Sequence, residues 1–305
     1  RFYQMPQKTL VTIVGPTAIG KTALSIYLAK HFSAPIISCD SRQFYKEIEI
    51  GTAVPSREEL QAAKHYFIQN RSIFEDYNVG QFERDALEKL EELFLKHSVV
   101  VMVGGSGLYV DAVLKGLDYF PDIEPEIRNQ LNNDLRIKGL PYLQKKLKNL
   151  DTDTYNSIAL ENPHRVIRAL EVCIGSGKTY ASFKNKPKTP RTFKAVKIGL
   201  QADRPTIYNR INQRVDLMMQ VGLLDEARKV FPYKERNALQ TVGYRELFQY
   251  LEGSFPLDFA IEEIKKNTRR FAKRQMTWFQ KDLDTHWFDF QKNKKEITNT
   301  IEKML

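Results

Sequence analysis

Two cysteines in 305 residues, Cys39 and Cys173, are too few for a disulfide framework and lack the spacing of a thiolate metal motif. Such usage fits a reducing, cytoplasmic setting. No apolar run approaches the roughly 20 residues that cross a bilayer, and the first residues carry no signal-peptide core, so a membrane role is not expected. No internal repeat stands out, and no Cys/His zinc-finger spacing follows residue 290. Negative charge is also short. Lys and Arg number 47 against 37 Asp and Glu, a net charge of +10 that points to a polyanionic partner. The 42% hydrophobic content supplies a proper core, and the length suits two domains or one domain with an insertion.

What is present begins at Gly15-Pro16-Thr17-Ala18-Ile19-Gly20-Lys21-Thr22, a G-x-x-x-x-G-K-T string directly after the apolar run Thr9 to Val14. Strand, glycine-rich turn and helix (Ala23, Leu24, Ile26, Leu28, Ala29) form the context a P-loop requires. Gly15 and Gly20 let the backbone curl so that successive N–H groups face one point. The helix N-terminus and Lys21 add positive charge there, and the Thr22 hydroxyl suits Mg²⁺. The segment binds a chain of phosphates.

Phosphoryl transfer then meets a difficulty. P-loop NTPases hold Mg²⁺ with an Asp at the end of a later strand, yet the strand Ser98–Val103 runs into Gly104-Gly105-Ser106-Gly107 with no carboxylate. A carboxylate follows the second strand, 35–39, instead, as Asp40. Strand C-termini line the ligand crevice of a parallel sheet, so Asp40 is a candidate general base, or else a cap for the following segment.

Strands alternate with helices to about Gly116, including an amphipathic helix over 82–97. From Pro121 to about Lys184 strand-like runs vanish and Pro- and Asp-marked helix starts take over. A basic, proline-punctuated linker (184–191) precedes a returning strand at 193–200 and further helices. The expected class is α/β: a P-loop NTPase-like parallel sheet flanked by helices, formed by residues 1–116 and 191–305, with an all-helical insertion at 117–190. Gly175-Ser176-Gly177-Lys178-Thr179 imitates a second P-loop, but Val172 occupies the first glycine position and a helix precedes it. It reads as a helix stop.

Three basic constellations remain. His164 and Arg168 share a face behind the Asn162-Pro163 helix start, and Arg210 and Arg214 lie one turn apart, able to clamp a diphosphate. The helix 264–281 carries Lys265, Lys266, Arg269, Arg270, Lys273 and Arg274, with Ile264, Phe271, Trp278 and Phe279 expected toward the core.

Together with Asp40-Ser41-Arg42-Gln43-Phe44-Tyr45, Ile50-Gly51-Thr52-Ala53, Gly104–Tyr109, Asn162–Glu171, Val242-Gly243-Tyr244-Arg245 and Thr268–Gln275, these segments occur in family order over nearly the whole chain. The sequence closely resembles the bacterial tRNA dimethylallyltransferase (isopentenyltransferase) family. That resemblance implies transfer of a dimethylallyl group from dimethylallyl diphosphate to N6 of the adenosine 3′ to the tRNA anticodon. It implies Asp40 and Ser106 in catalysis, Gly15 to Thr22 with Arg210 or Arg214 on the diphosphate, and Mg²⁺ near Thr22. The tRNA contacts it implies are Asp40, Ser41, Arg42, Gln43, Ser106, Arg128, His164, Arg165, Val166, Ile167, Arg168, Gln240, Thr241, Val242, Gly243, Tyr244 and Arg245. The insertion would grip the anticodon stem-loop, the target base would flip out of its stack, and the enzyme is expected to be a monomer. Ser106 stands where relatives often carry Thr, and Gln240-Thr241 where some carry a basic residue. The alternatives are a small-molecule kinase with a helical lid, which would consume nucleoside triphosphate, and a non-catalytic RNA-binding protein, which would not need Lys21, Thr22 and Asp40 together.

Overall fold

A computed structural model of the chain describes residues 7–305. Strands β1 (Thr9–Val14), β2 (Ile36–Ser38), β3 (His65–Tyr66) and β4 (Val99–Val103) alternate with helices α1 (Lys21–Phe32), α2 (Arg57–Ala62), α3 (Val79–Leu93) and α4 (Gly107–Lys115). Four helices follow: α5 (Pro125–Lys138), α6 (Leu140–Leu150), α7 (Thr152–Ser157) and α8 (Pro163–Ser176). The chain then returns through β5 (Lys194–Gln201), α9 (Arg204–Gln220), α10 (Leu223–Val230), α11 (Tyr244–Leu251), α12 (Leu257–Phe279), β6 (Thr285–Asp289) and α13 (Lys294–Glu302).

The sheet order is β3-β2-β4-β1-β5-β6 with every pairing parallel. Central β1 lies between β4 and β5, Leu10 opposite Val100 on one side and Ala195 on the other. Both faces of β1 are covered by helices, which is why its six residues, Thr9 and Thr12 among them, are all buried. Parallel strands all end on one edge. Gly15, Asp40 and Gly104 therefore converge from three strands far apart in sequence. No helix among the described residues is long and apolar enough to cross a membrane.

The chain divides into two compact units, one formed by the residues to Lys115 together with Arg191–Leu305, the other Gly116–Pro190. The second unit is helical, with Leu131, Leu143, Leu147, Val166, Ile167 and Leu170 at its centre. Its α8 starts as its residues dictate: the Asn162 side chain accepts from the N–H groups of His164 (3.0 Å) and Arg165 (3.3 Å), and Pro163 takes the first turn. It stops at Gly177, in the left-handed region at φ 68°, so the second G-K-T string is a helix terminus.

Three elements differ from expectation. The helix expected over 82–97 begins at Val79, because Asn78 and Gln81 form a reciprocal cap, and it ends at Leu93. Strands β3 and β6 had no sequence signal: β3 has two residues and β6 reads Thr-His-Trp-Phe-Asp, without the continuous apolar run of a buried strand.

Candidate active site

The loop after β1 is shaped by close approach. A Cβ on Gly15 would sit 2.6 Å from the Leu200 carbonyl oxygen of β5, and φ is 144° there. The Lys21 ammonium bridges the loop, donating to the carbonyls of Gly15 (3.0 Å) and Pro16 (2.7 Å). Its pKa is pulled down to about 8, first by burial and then by the nearby Arg214 charge, with Asp40 opposing.

Asp40 is half-buried just past β2, and burial raises its carboxyl above the ordinary carboxylate range. The Arg42 N–H, which donates to Oδ1 at 2.9 Å, and the Lys21 charge pull the other way. Turn rather than helix follows, so Asp40 is no helix cap. Ser106 meets the same loop, its Oγ accepting from the Ser41 N–H at 3.0 Å and donating to Ser41 Oγ at 3.1 Å. The Gln43 amide donates to the carbonyls of Thr52 (3.1 Å) and Ala53 (3.0 Å), tying that loop to the site.

Two cavities of about 400 and 420 Å³ adjoin here. One is the P-loop cavity, lined by Thr17 to Thr22 with Ser38 and Glu59. The other has mostly apolar walls: Leu108, Tyr109, Met218, Val242, Phe271 and Trp278. Thr17, Asp40, Thr52, Ala53, Gly105, Arg214, Phe271 and Gln275 line both, forming their common wall. Thr241, Val242 and Gly243 reach the apolar cavity.

Of the two arginines on α9, Arg214 faces both cavities, its Nη1 3.4 Å from Thr17 Oγ1. Burial and the Arg210 charge lower its pKa. Arg210 lines neither cavity; its Nε donates to the Ala18 carbonyl at 2.7 Å and its guanidinium lies 5.0 Å from the Phe290 ring centre. It supports the P-loop from behind.

Several expected positions are corrected by burial. Phe271 (36% exposed) and Trp278 (38% exposed) do not enter the core with Ile264 and Phe279 but form cavity wall. Trp278 is fixed there by Nε1 donating to Asp111 Oδ2 at 2.9 Å and by Gly107, where a Cβ would fall 2.4 Å from the indole. Half the basic run on α12 is paired internally: Lys265 with Asp216 (2.8 Å) and Glu262 (3.1 Å), Lys266 with Glu263, and Arg269 with Asn212 (2.8 Å). Arg270, Lys273 and Arg274 remain exposed.

Tyr244, assigned to the RNA by resemblance, is fully buried, and its hydroxyl donates to Glu226. Gly243 is buried beside it, whereas Gln240 and Arg245 are exposed. In the insertion, Val166 and Ile167 are core residues, leaving only His164, Arg165 and Arg168 of that turn at the surface. Arg168 and Arg128 both reach Glu171 Oε2, at 2.9 and 3.1 Å.

Sequence reasoning assigned no role to two residues that hold the site together. Gln275 accepts from the Thr17 N–H at 2.8 Å and donates to the Gly105 carbonyl at 3.0 Å, joining the loops after β1 and β4. Glu226 accepts the N–H groups of Glu49 (3.0 Å), Ile50 (2.9 Å) and Gly51 (3.1 Å) besides the Tyr244 hydroxyl. Glu226→Ala should therefore cost about 1–3 kcal/mol by stranding these donors, read as a lower urea midpoint; an unchanged midpoint would show that the 49–51 loop stands without it.

Among the described residues, no three His, Cys, Asp or Glu side chains converge as a metal site. The P-loop cavity does offer the Thr22 hydroxyl and the Asp40 carboxylate. Sparse oxygen donors of this kind suit Mg²⁺, which keeps several waters and binds largely through substrate phosphates.

Comparison with known proteins bears on this arrangement. The IPP transferase family profile matches residues 43–282, beyond the P-loop and Asp40. Similarity to whole proteins takes in those segments too. The chain is 60% identical over 304 residues, covering 98% of both chains, to the tRNA dimethylallyltransferase of Flavobacterium johnsoniae. It is similar to the solved full-length tRNA isopentenylpyrophosphate transferase of Bacillus halodurans, with 35% identity, a TM-score of 0.73 and coverage of 97% and 96%. A eukaryotic dimethylallyltransferase structure shares the fold at 24% identity and TM-score 0.78, over 97% of this chain and 77% of that one. A P-loop beside a carboxylate-bearing apolar cavity, in a chain so close to these proteins along its length, leads to one assignment: the chain belongs to the IPP transferase family, the tRNA dimethylallyltransferases.

Proposed function

We propose that the enzyme transfers a dimethylallyl group from dimethylallyl diphosphate to N6 of the adenosine 3′ to the anticodon of tRNA, releasing diphosphate. The observation that carries this reading is the common wall of the two cavities, where Asp40 and Arg214 stand between phosphate-binding loop and apolar chamber. A phosphoryl-transfer enzyme needs no apolar chamber at that point. The kinase alternative also lacks a carboxylate at the end of β4, which runs into Gly104.

The P-loop amides, Lys21 and Arg214 take the diphosphate, and Arg210 holds the loop's shape through the Ala18 carbonyl. Mg²⁺ beside Thr22 would neutralise part of the diphosphate charge. The dimethylallyl group lies toward the apolar walls at Phe271 and Trp278. Adenine N6 attacks the allylic carbon, the carbon–oxygen bond to diphosphate breaks, and Asp40 accepts the N6 proton. Its raised pKa suits that task, because a buried carboxylate is a stronger base than one in water. Ser106 and Ser41 orient the acceptor side of the cavity. Exposed His164, Arg165 and the Arg128/Arg168 pair supply phosphate contacts on the insertion, Glu171 spacing the two guanidiniums. The two free, buried thiols suit the cytoplasm.

The test is incubation with unmodified tRNA, Mg²⁺ and radiolabelled dimethylallyl diphosphate, with ATP in a parallel reaction. Label is expected in the tRNA without ATP. Absence of label, with the terminal phosphate of ATP transferred instead, would overturn the reading.

A further inference from the structure

Phe74, between β3 and α3, and Tyr233, between α10 and α11, form an aromatic surface that the reaction does not use. Phe74 and Tyr233 are 47% and 45% exposed, although large aromatic side chains are ordinarily well buried. Their ring centres lie 4.7 Å apart at an interplanar angle of 85°, and the Arg236 guanidinium is 5.4 Å from the Phe74 ring centre. Neighbouring cations are committed elsewhere, Lys234 to Glu252 and Arg71 to Asp85 and Glu75. Arg236 forms no ion pair among the described residues, so its planar cation is free to stack as well.

This cluster is tied to the rim of the apolar cavity. Arg42 lines that cavity, its N–H donates to Asp40, and its Nη1 donates to the Asn237 carbonyl at 3.0 Å, one residue past Arg236. From the other end of the segment, the Gln240 side chain donates to the Lys234 carbonyl at 2.6 Å, and Thr241 is cavity wall. Nucleotides flanking a base inserted in the cavity are unstacked by that insertion and need new partners. Aromatic rings interleaved with arginine provide them, because every base offers a π-face.

We propose that Phe74, Tyr233 and Arg236 form a stacking platform for an unpaired nucleotide of the RNA substrate next to the modified adenosine. The proposal rests on the tRNA reading above. Its test is binding of an unmodified anticodon stem-loop, with a seven-nucleotide loop, to the full chain across a salt series, alongside prenylation of the same RNA by the unaltered enzyme. Phe74→Ala and Tyr233→Ala should each raise the Kd by about 5-fold or more. The slope of log Kd against log salt should stay unchanged, because no phosphate contact is lost. Tyr233→Trp should retain binding, and 2-aminopurine placed beside the target adenosine should lose its quenching in both alanine variants. A Kd within about twofold of the parent, or a slope flattened by about one, overturns the platform while prenylation by the parent enzyme leaves the functional reading standing. If the parent enzyme does not prenylate the RNA, the functional reading falls and the platform with it.

Discussion

Asp40→Asn should lower kcat by about 10²–10⁴-fold, the usual contribution of a positioned general base, while changing tRNA affinity little. Asparagine keeps the carbonyl oxygen that accepts the Arg42 N–H, so the turn after β2 survives and only the basicity is removed. The pH profile should change with it. In the parent enzyme the rate falls on the acid side as Asp40 protonates, at a pH above the ordinary carboxylate range because burial raises its pKa; the variant should lack that limb. The stability sign is also fixed. A carboxyl whose folded pKa exceeds its unfolded value binds its proton more tightly in the native state. Its favourable contribution is fully present below the unfolded pKa and is lost as pH rises through the folded one. Above the folded pKa the ionised Asp40 therefore burdens the fold, and Asp40→Asn should leave the thermal midpoint there unchanged or higher. Steady-state kinetics, stem-loop binding and thermal melts read the three effects. Binding that collapses in step with kcat would make Asp40 a tRNA contact rather than a base.

The parts of this site legible in the sequence are those whose chemistry is local. Gly15 to Thr22 announce themselves because strand, turn and helix are consecutive, and Asp40 because strand C-termini in a parallel sheet share an edge. Helix starts at Pro125 and Pro163 and the stop at Gly177 are equally local. What escaped depends on tertiary partners. The stripe through Ile264, Phe271, Trp278 and Phe279 has helical spacing, yet Phe271 and Trp278 are partly exposed cavity wall, since periodicity says which residues share a side and not what lies opposite. Tyr244, Val166 and Ile167 fall inside functional motifs but are core residues, so motif membership overstated the contact surface. Gln275 and Glu226 matter through hydrogen bonds to loops over a hundred residues away, which no spacing reveals. Strand β3 is too short to carry a pattern at all.

The same tertiary information separates the two arginines of α9, which sequence spacing makes equivalent. Arg214→Ala should reduce kcat/KM for dimethylallyl diphosphate by about 10²–10³-fold, the scale for losing one donor to developing negative charge in a water-poor site. Arg214→Lys should recover only part of this, because an ammonium lacks the planar fork that grips two phosphate oxygens. Arg210→Ala removes a hydrogen bond to the Ala18 carbonyl and a contact with the Phe290 ring. Its effect should stay nearer 10-fold or below, the order of one lost hydrogen bond. Calorimetric titration with inorganic diphosphate gives a second reading free of chemistry: affinity should drop sharply for Arg214→Ala and modestly for Arg210→Ala. Ala18 gives the smaller effect its physical basis, for it holds a left-handed backbone at φ 64° that an L-residue seldom adopts unsupported. Losing its carbonyl partner loosens the loop without removing a charge from the diphosphate. The reverse order of effects, Arg210→Ala worse than Arg214→Ala in both kinetics and titration, would place the diphosphate on the other side of α9 and break the assignment of the two-cavity wall to the reacting centre.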